Sequence, residues 1–368
     1  MSAAARPAPA MLTRPTLIGG ALVAVLAVAL LVGVRYGLML AIGLGLGITL
    51  EGLRFGFAGP WRAMILRREP AGLLAQLLAI GVVACVALPL IQSHPDEIMG
   101  AQGRIGYAMI GGAFVFGAAM QVVLGCGSGT LVNAGSGNPV GLLALPFFAI
   151  GSFLGAYSLI WWTELGALPP LVLSGSGGLA ITLAGLAAVA VLLLALAAPG
   201  SRRIPGRLLL AAGLMAGFAI LNLIVAGQPW GVVYGLGLWV AKAATAMGAD
   251  LSGSAFWAAP GTQAIINANV LTDYTSLTNF GLLAGAFIVA TWRGLNQPLP
   301  RLPARAWLAV VIAGLALGYS SRLAFGCNVG AFFSGISTGS LHGWVWFAAA
   351  FAGSFVGIRL RRISGLEG

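Results

Sequence analysis

The sequence predicts an all-α polytopic membrane protein, an inverted repeat of two halves with broken or re-entrant helices at mid-membrane. Three observations carry that prediction. Hydrophobic residues make up 59% of the chain and charged residues only 7%, a balance far from that of a soluble domain. A glycine-cysteine motif occurs once in each half. Basic loops of one half correspond to uncharged or acidic loops of the other.

Apolar runs from Leu17 to Val34, Leu73 to Leu90, Leu179 to Ala198 and Leu208 to Val225 are long enough to cross a hydrocarbon core of about 30 Å as helices. Hydropathy gives roughly nine to eleven helical segments in all. The chain opens on a basic stretch followed by an apolar one, but no small-residue cleavage site follows Val34, so this reads as an uncleaved first helix. The expected order is a cytoplasmic segment at 1–16, a first transmembrane half at 17–165 and a connecting helix with a basic loop at 166–206. A second half at 207–360 and a cytoplasmic tail at 361–368 follow.

The net charge of +11 sits in short connecting segments. That distribution points to a lipid bilayer rather than to nucleic acid as the partner. Arg6 and Arg14 precede the first span, and Arg62, Arg67 and Arg68 lie between early spans. Arg202, Arg203 and Arg207 sit mid-chain, followed by Arg293, Arg301 and Arg305, and by Arg359, Arg361 and Arg362 at the end. The positive-inside rule puts all of them on the cytoplasmic face of a bacterial inner membrane, and both termini with them.

Compared with itself, the chain shows a duplication. Gly125-Cys126-x-x-Gly129 recurs as Gly326-Cys327-x-x-Gly330, and Gly151-Ser152-Phe153-Leu154-Gly155 as Gly353-Ser354-Phe355-Val356-Gly357. The same spacing sets Phe57-Ala58-Gly59-Pro60 opposite Trp257-Ala258-Ala259-Pro260, two related breaks in each half. The acidic loop His94-Pro95-Asp96-Glu97 corresponds to the basic stretch from Arg293 to Arg305, so equivalent loops lie on opposite faces and the repeat is inverted.

The two Gly-Cys loops enter from opposite sides and are expected to meet near mid-membrane. Their glycines and small polar residues cannot form a lipid-facing helix, because irregular backbone at that depth needs protein or a water-filled cavity to satisfy it. A short helix starting after each cysteine would aim free N–H groups and a positive dipole end at the gap, which suits an anion. A thiol is a soft, weak donor, matched to a polarizable sulfur atom such as the terminal sulfur of thiosulfate. The candidate pathway residues are therefore Cys126, Cys327, Gly125, Gly127, Gly129, Gly326, Asn328 and Gly330. Close helix packing by small residues is the plainer explanation of Gly43, Gly45 and Gly47. Cys85, inside a continuous apolar run, reads as a small hydrophobe.

Charges within spans need a reason, and Lys242, Arg322, Glu51 and Arg54 are the candidates. Arg322 and Lys242 either attract an anion, or reach an interface, or pair with Glu51 or Asp250. His342 reads as a loop-bracing residue. Three single cysteines, without finger spacing, exclude a disulfide framework and a metal finger, and no cofactor motif is present.

With Gly-Cys-Asn-Val-Gly-Ala-Phe-Phe-Ser-Gly-Ile-Ser-Thr-Gly-Ser-Leu-His-Gly-Trp at 326–344, Gly-Cys-Gly-Ser-Gly-Thr-Leu at 125–131 and Gln228-Pro229-Trp230-Gly231, the chain resembles the YeeE/YedE (sulfur transport domain) membrane proteins over most of its length. The resemblance implies an hourglass of inverted halves in which cysteine thiols at the constriction pass thiosulfate along by hydrogen bonds from S–H to sulfur. Cys126 and Cys327 match the two loop cysteines. The family's thiosulfate transporters carry a further pathway cysteine nearer the N-terminus, which the segment from Arg54 to Gly59 lacks, and some longer relatives look like carriers of other sulfur or selenium compounds. The resemblance also implies a small cytoplasmic sulfur carrier of the TusA type as partner. A membrane sulfur-transfer protein holding a persulfide on Cys126 or Cys327 is the rival reading, although no general base lies near either cysteine in sequence.

Overall fold

The computed structural model describes residues 14–294 and 299–367; Arg6 and most of the expected N-terminal segment lie outside the described residues. The first half runs α1 (Arg14–Leu31), α2 (Val34–Gly52), α3 (Ala58–Arg67), α4 (Ala71–Ser93), α5 (Tyr107–Val123), α6 (Gly127–Gly135), α7 (Pro139–Tyr157) and α8 (Leu159–Thr163). The chain continues with α9 (Gly175–Ala195), α10 (Gly206–Ala226), α11 (Val233–Ala246), α12 (Pro260–Asn267), α13 (Tyr274–Trp292) and α14 (Ala304–Leu323). A π-helical turn at Asn328–Phe333 leads into α15 (Ser334–Ser337), and α16 (His342–Ile363) follows. Ten segments among the described residues are long and apolar enough to cross a membrane. The protein is all-α and multi-pass.

Local chemistry sets where these helices begin and end. Asn138 caps α7, its Oδ1 accepting from the N–H of Val140 at 3.0 Å and of Gly141 at 3.2 Å, with Pro139 in the first turn where its missing donor is harmless. Asp273 caps α13 by accepting from Ser276 N–H at 2.7 Å. α5 and α14 stop alike: Leu124 and Phe325, each just before a Gly-Cys pair, take left-handed backbone with φ of 53° and 55°. Holding a non-glycine residue there costs about 1 kcal/mol, and the turn sends the chain back into the protein.

The loops gather at two ends. At the arginine-rich end, Ala198 N–H donates to Arg68 O at 3.0 Å, Arg293 donates to Gly52 O at 2.6 Å, and Arg62 pairs with Glu367. Arg14 lies over the Trp292 ring, so both ends of the described chain meet there. At the acidic end, Ile105–Gly106 pairs as a short strand with Ala167–Leu168, Leu173 N–H donates to Gly339 O at 2.7 Å, and Met99 N–H donates to Gly227 O at 2.9 Å.

The duplication is visible in the packing of α5, α7, α14 and α16 at the centre. Gly353 and Gly357 of α16 lie against the carbonyls of Phe114 and Ala118 on α5; their counterparts Gly151 and Gly155 of α7 lie against the carbonyls of Leu315 and Tyr319 on α14, the equivalent residues of the other copy. Gly117 meets Ala350 O just as Gly318 meets Phe148 O. Any side chain at these positions would enter the facing backbone, which is why the repeated motif keeps glycine. The copies run oppositely. α5 starts beside the 94–106 loop and ends where Val122 O accepts from Arg361, whereas α14 starts beside the C-terminal tail and ends at Phe325 against Gly103.

One expected correspondence is corrected. Trp257-Ala258-Ala259-Pro260 is not the structural partner of Phe57-Ala58-Gly59-Pro60. Trp257 stacks on Phe153 at the acidic end, with ring centroids 5.5 Å apart, while α2 packs on α13 as α10 packs on α4. The counterpart of Phe55–Phe57 is therefore the break at Gln228-Pro229-Trp230-Gly231. The extra loop and helix between α11 and α13 lengthen the second copy and disguise this in a fixed-offset comparison.

Candidate functional site

Each Gly-Cys loop begins with its left-handed turn and ends in a helix whose first residue follows the cysteine. In the first copy, Cys126 is itself the cap of α6. Its Sγ accepts from Gly129 N–H at 3.4 Å and lies 3.4 Å from Ser128 Oγ, while its carbonyl accepts from Thr130 N–H and Oγ1, both at 2.8 Å. In the second, Gly326 has φ 148° and no room for a Cβ, which would stand 2.6 Å from Ala331 N. Cys327 then caps the π-helical turn, its carbonyl accepting from Ala331 N–H at 2.8 Å, and Trp346 Nε1 braces Gly326 O at 3.2 Å.

The loops meet. A methyl group on Gly127 would stand 2.7 Å from Cys327 Sγ. Both thiols are sealed from solvent, at 1% exposure for Cys126 and 0% for Cys327. On one side of this contact a cavity of about 410 Å³ is walled by Glu51, Arg54, Phe55, Phe57, Cys126 and Asn133. On the other a cavity of about 320 Å³ is walled by Gln102, Tyr234, Phe256, Arg322, Cys327 and Gly330. The first opens near the arginine-rich end and the second near the acidic end, with the cysteine contact as the partition between them.

The electrostatics favour an anion. Two helix starts with opposite directions bring their positive ends together at the partition, an arrangement that a negative charge relieves. In the acidic-end cavity the Arg322 guanidinium lies 4.7 Å from the Phe256 ring centroid and 5.7 Å from that of Tyr234, and its Nε has no hydrogen-bond partner. It pairs with neither Glu51 nor Asp250: ion pairs among the described residues lie at the arginine-rich end. A guanidinium faced by π-clouds rather than by a carboxylate keeps its positive potential.

Of the residues expected in the pathway, Gly125, Cys126 and Gly129 wall one cavity, while Gly326, Cys327, Gly330 and Arg322 wall the other. Gly127 lies in the partition against the Cys327 thiol, and Asn328, buried next to Cys327, lines neither cavity. Lys242 lines neither cavity. Its Nζ donates to the carbonyls of Ile265, Ile266 and Ala268 at 2.7, 2.8 and 2.6 Å, fastening the C-terminus of α12. His342 braces the second loop through Ser340 Oγ at 2.6 Å, and Cys85 is exposed on α4. Tyr234, Phe256 and Gln102 enter from segments that carry no motif; for Tyr234 the signal was available, since it closely follows the Gln228 to Gly231 break.

Compared with known protein families, residues 53–356 match the family described as Sulphur transport. The chain belongs to the sulphur transport family. Two similar proteins, each named "Probable transporter YedE", come from Escherichia coli (strain K12) and Salmonella typhimurium; each is 38% identical over 90 residues, 24% of this chain. The match spans only 22% of the length of each of those relatives. A third, named "Thiosulfate transporter TsuA", from Spirochaeta thermophila, is 27% identical over 339 residues, covering 83% of this chain and 93% of the relative. Within the sulphur transport family, then, similarity to this chain extends over nearly the whole of a protein whose name states its cargo.

Proposed function

We propose that this protein is an inner-membrane transporter that takes up thiosulfate or a related small sulfur-containing anion, relayed between its two cavities by the thiols of Cys126 and Cys327. The observation that carries the proposal is the seating of the Cys327 thiol on Gly127, with one walled cavity on each side. An anion entering the acidic-end cavity meets the Arg322 guanidinium, then the loop at Gly326, Cys327 and Gly330. At the partition a neutral S–H donates to its terminal sulfur, and on the far side the loop of Gly125, Gly127 and Gly129 receives it. Lys242 adds to the positive field of the acidic end from a distance.

The arginine-rich end is read as cytoplasmic, since Arg62, Arg67, Arg293 and Arg361 collect there, and both termini are cytoplasmic on that reading. The first repeat half is placed at 17–165 and the second at 207–360, with α9 and its basic loop as the connection. A TusA-like sulfur carrier is the proposed cytoplasmic partner.

The test is thiosulfate uptake by cells whose only thiosulfate importer is this protein, with wild type, Cys126→Ala and Cys327→Ala at matched membrane expression. Uptake by wild type and loss in both variants supports the paired-thiol route. Normal uptake by the variants rejects it. No uptake by wild type rejects thiosulfate and turns the search to other sulfur or selenium species. A stoichiometric sulfur adduct on either cysteine after thiosulfate exposure would favour persulfide transfer over relay.

A further inference from the structure

The two Gly-Cys loops differ at the residue after the cysteine, where Gly127 of the first copy corresponds to Asn328 of the second. In the first copy only glycine fits, because the Cys327 thiol is seated on it. In the second copy Asn328 directly follows the Cys327 thiol that is seated on Gly127, at the first position of the π-helical turn. Asn328 is fully buried, and neither its Nδ2 nor its Oδ1 has a hydrogen-bond partner. Leaving a carboxamide unpaired in the interior is unfavourable, so such a group calls for an explanation. Cys126 and Gly129 line one cavity and Cys327 and Gly330 the other, whereas Asn328 lines neither. Its turn, Asn328–Phe333, is π-helical, a winding that recurs at functional sites.

We infer that Asn328 is the selectivity residue of the partition, donating its amide N–H groups to the oxygen atoms of a sulfur oxyanion while a thiol engages the terminal sulfur. This rests on the transport reading above and deepens it. An anion with both oxygen acceptors and a soft sulfur satisfies the carboxamide and the thiols together. Hydrosulfide, which has sulfur but no oxygen, satisfies only the thiols, and its passage leaves the carboxamide unpaired.

The experiment reconstitutes wild type, Asn328→Ala and Asn328→Asp in liposomes and measures uptake of radiolabelled thiosulfate, its inhibition by hydrosulfide, and thermal unfolding in detergent. Asn328→Ala is expected to lower thiosulfate uptake about tenfold, the loss of one discriminating contact, and to strengthen inhibition by hydrosulfide relative to thiosulfate self-competition. Its unfolding temperature stays the same or rises, because an unpaired group has been removed. Asn328→Asp, nearly the same shape but anionic, abolishes uptake. Wild-type uptake with both variants unchanged in rate and selectivity overturns this inference alone. Loss of the fold in Asn328→Ala assigns the residue a structural role and also overturns it. Failure of wild type to take up thiosulfate overturns the transport reading and this inference with it.

Discussion

Gly127 and the Cys327 thiol touch across the two halves, with Sγ only 2.7 Å from where a methyl group on Gly127 would stand. The contact joins the start of α6 to the loop that precedes the π-helical turn, so each half closes the cavity of the other. It also explains how two positive helix ends come to face each other: glycine at this position lets the thiol sit where a side chain would otherwise hold the loops apart.

Gly127→Ala should therefore act on the pathway directly. An added methyl group in a filled interior costs about 1–3 kcal/mol and displaces the neighbour that it meets. The expected outcome is loss of most thiosulfate uptake with a modest fall in unfolding temperature. Gly129→Ala is the comparison and should lose much less uptake, because its methyl group would stand 3.6 Å from Cys126 Sγ, an ordinary contact, although Gly129 also walls the cavity. Equal uptake by the two variants would argue against closure at Gly127.

Arg322 makes a separable contribution. Its guanidinium rests on Phe256 and Tyr234 and has no carboxylate partner, so its charge is available to a ligand. Arg322→Gln should raise the KM for uptake about tenfold, the loss of roughly one charge-assisted contact. Arg322→Lys should recover only part of that, since an ammonium group lacks the planar fork that stacks on the rings. A KM unchanged in both variants would remove Arg322 from the pathway.

The lipid-facing character of the chain and its duplication were legible in the sequence because composition and motif spacing record them directly. The motif Gly151 to Gly155 and its copy at Gly353 to Gly357 make equivalent contacts with facing carbonyls. The matching of Phe55–Phe57 with the Trp230 break was hidden by the longer connection between α11 and α13, which shifts the register of the copy. The cavity walls at Phe256 and Gln102 come from loops, and long-range loop packing has no local pattern. The partners of Lys242 were illegible for another reason: they are backbone carbonyls, and those belong to every residue type.

Lys242 should accordingly matter to stability more than to transport. Lys242→Met removes the donor to three carbonyls at the end of α12 while keeping the length of the stem, at a cost of about 1 kcal/mol. The expected outcome is a lower unfolding temperature with a KM close to that of wild type. A KM change as large as that of Arg322→Gln would instead place the ammonium group in the path of the anion.

The inverted repeat makes a prediction about energies as well as shapes. Gly151 abuts Leu315 O and Gly353 abuts Phe114 O, equivalent neighbours in the two copies. Valine at either site would force α7 from α14 or α16 from α5, and overpacking of this kind costs about 1–3 kcal/mol, more where the obstacle is backbone. Gly151→Val and Gly353→Val should therefore lower the unfolding temperature by similar amounts. The two contacts share no residue, so the double variant should show close to the sum of the single effects. Thermal unfolding of the three variants in one detergent checks both points. A large inequality between the single variants would mean that the two halves, alike in their contacts, are not alike in the load that those contacts bear.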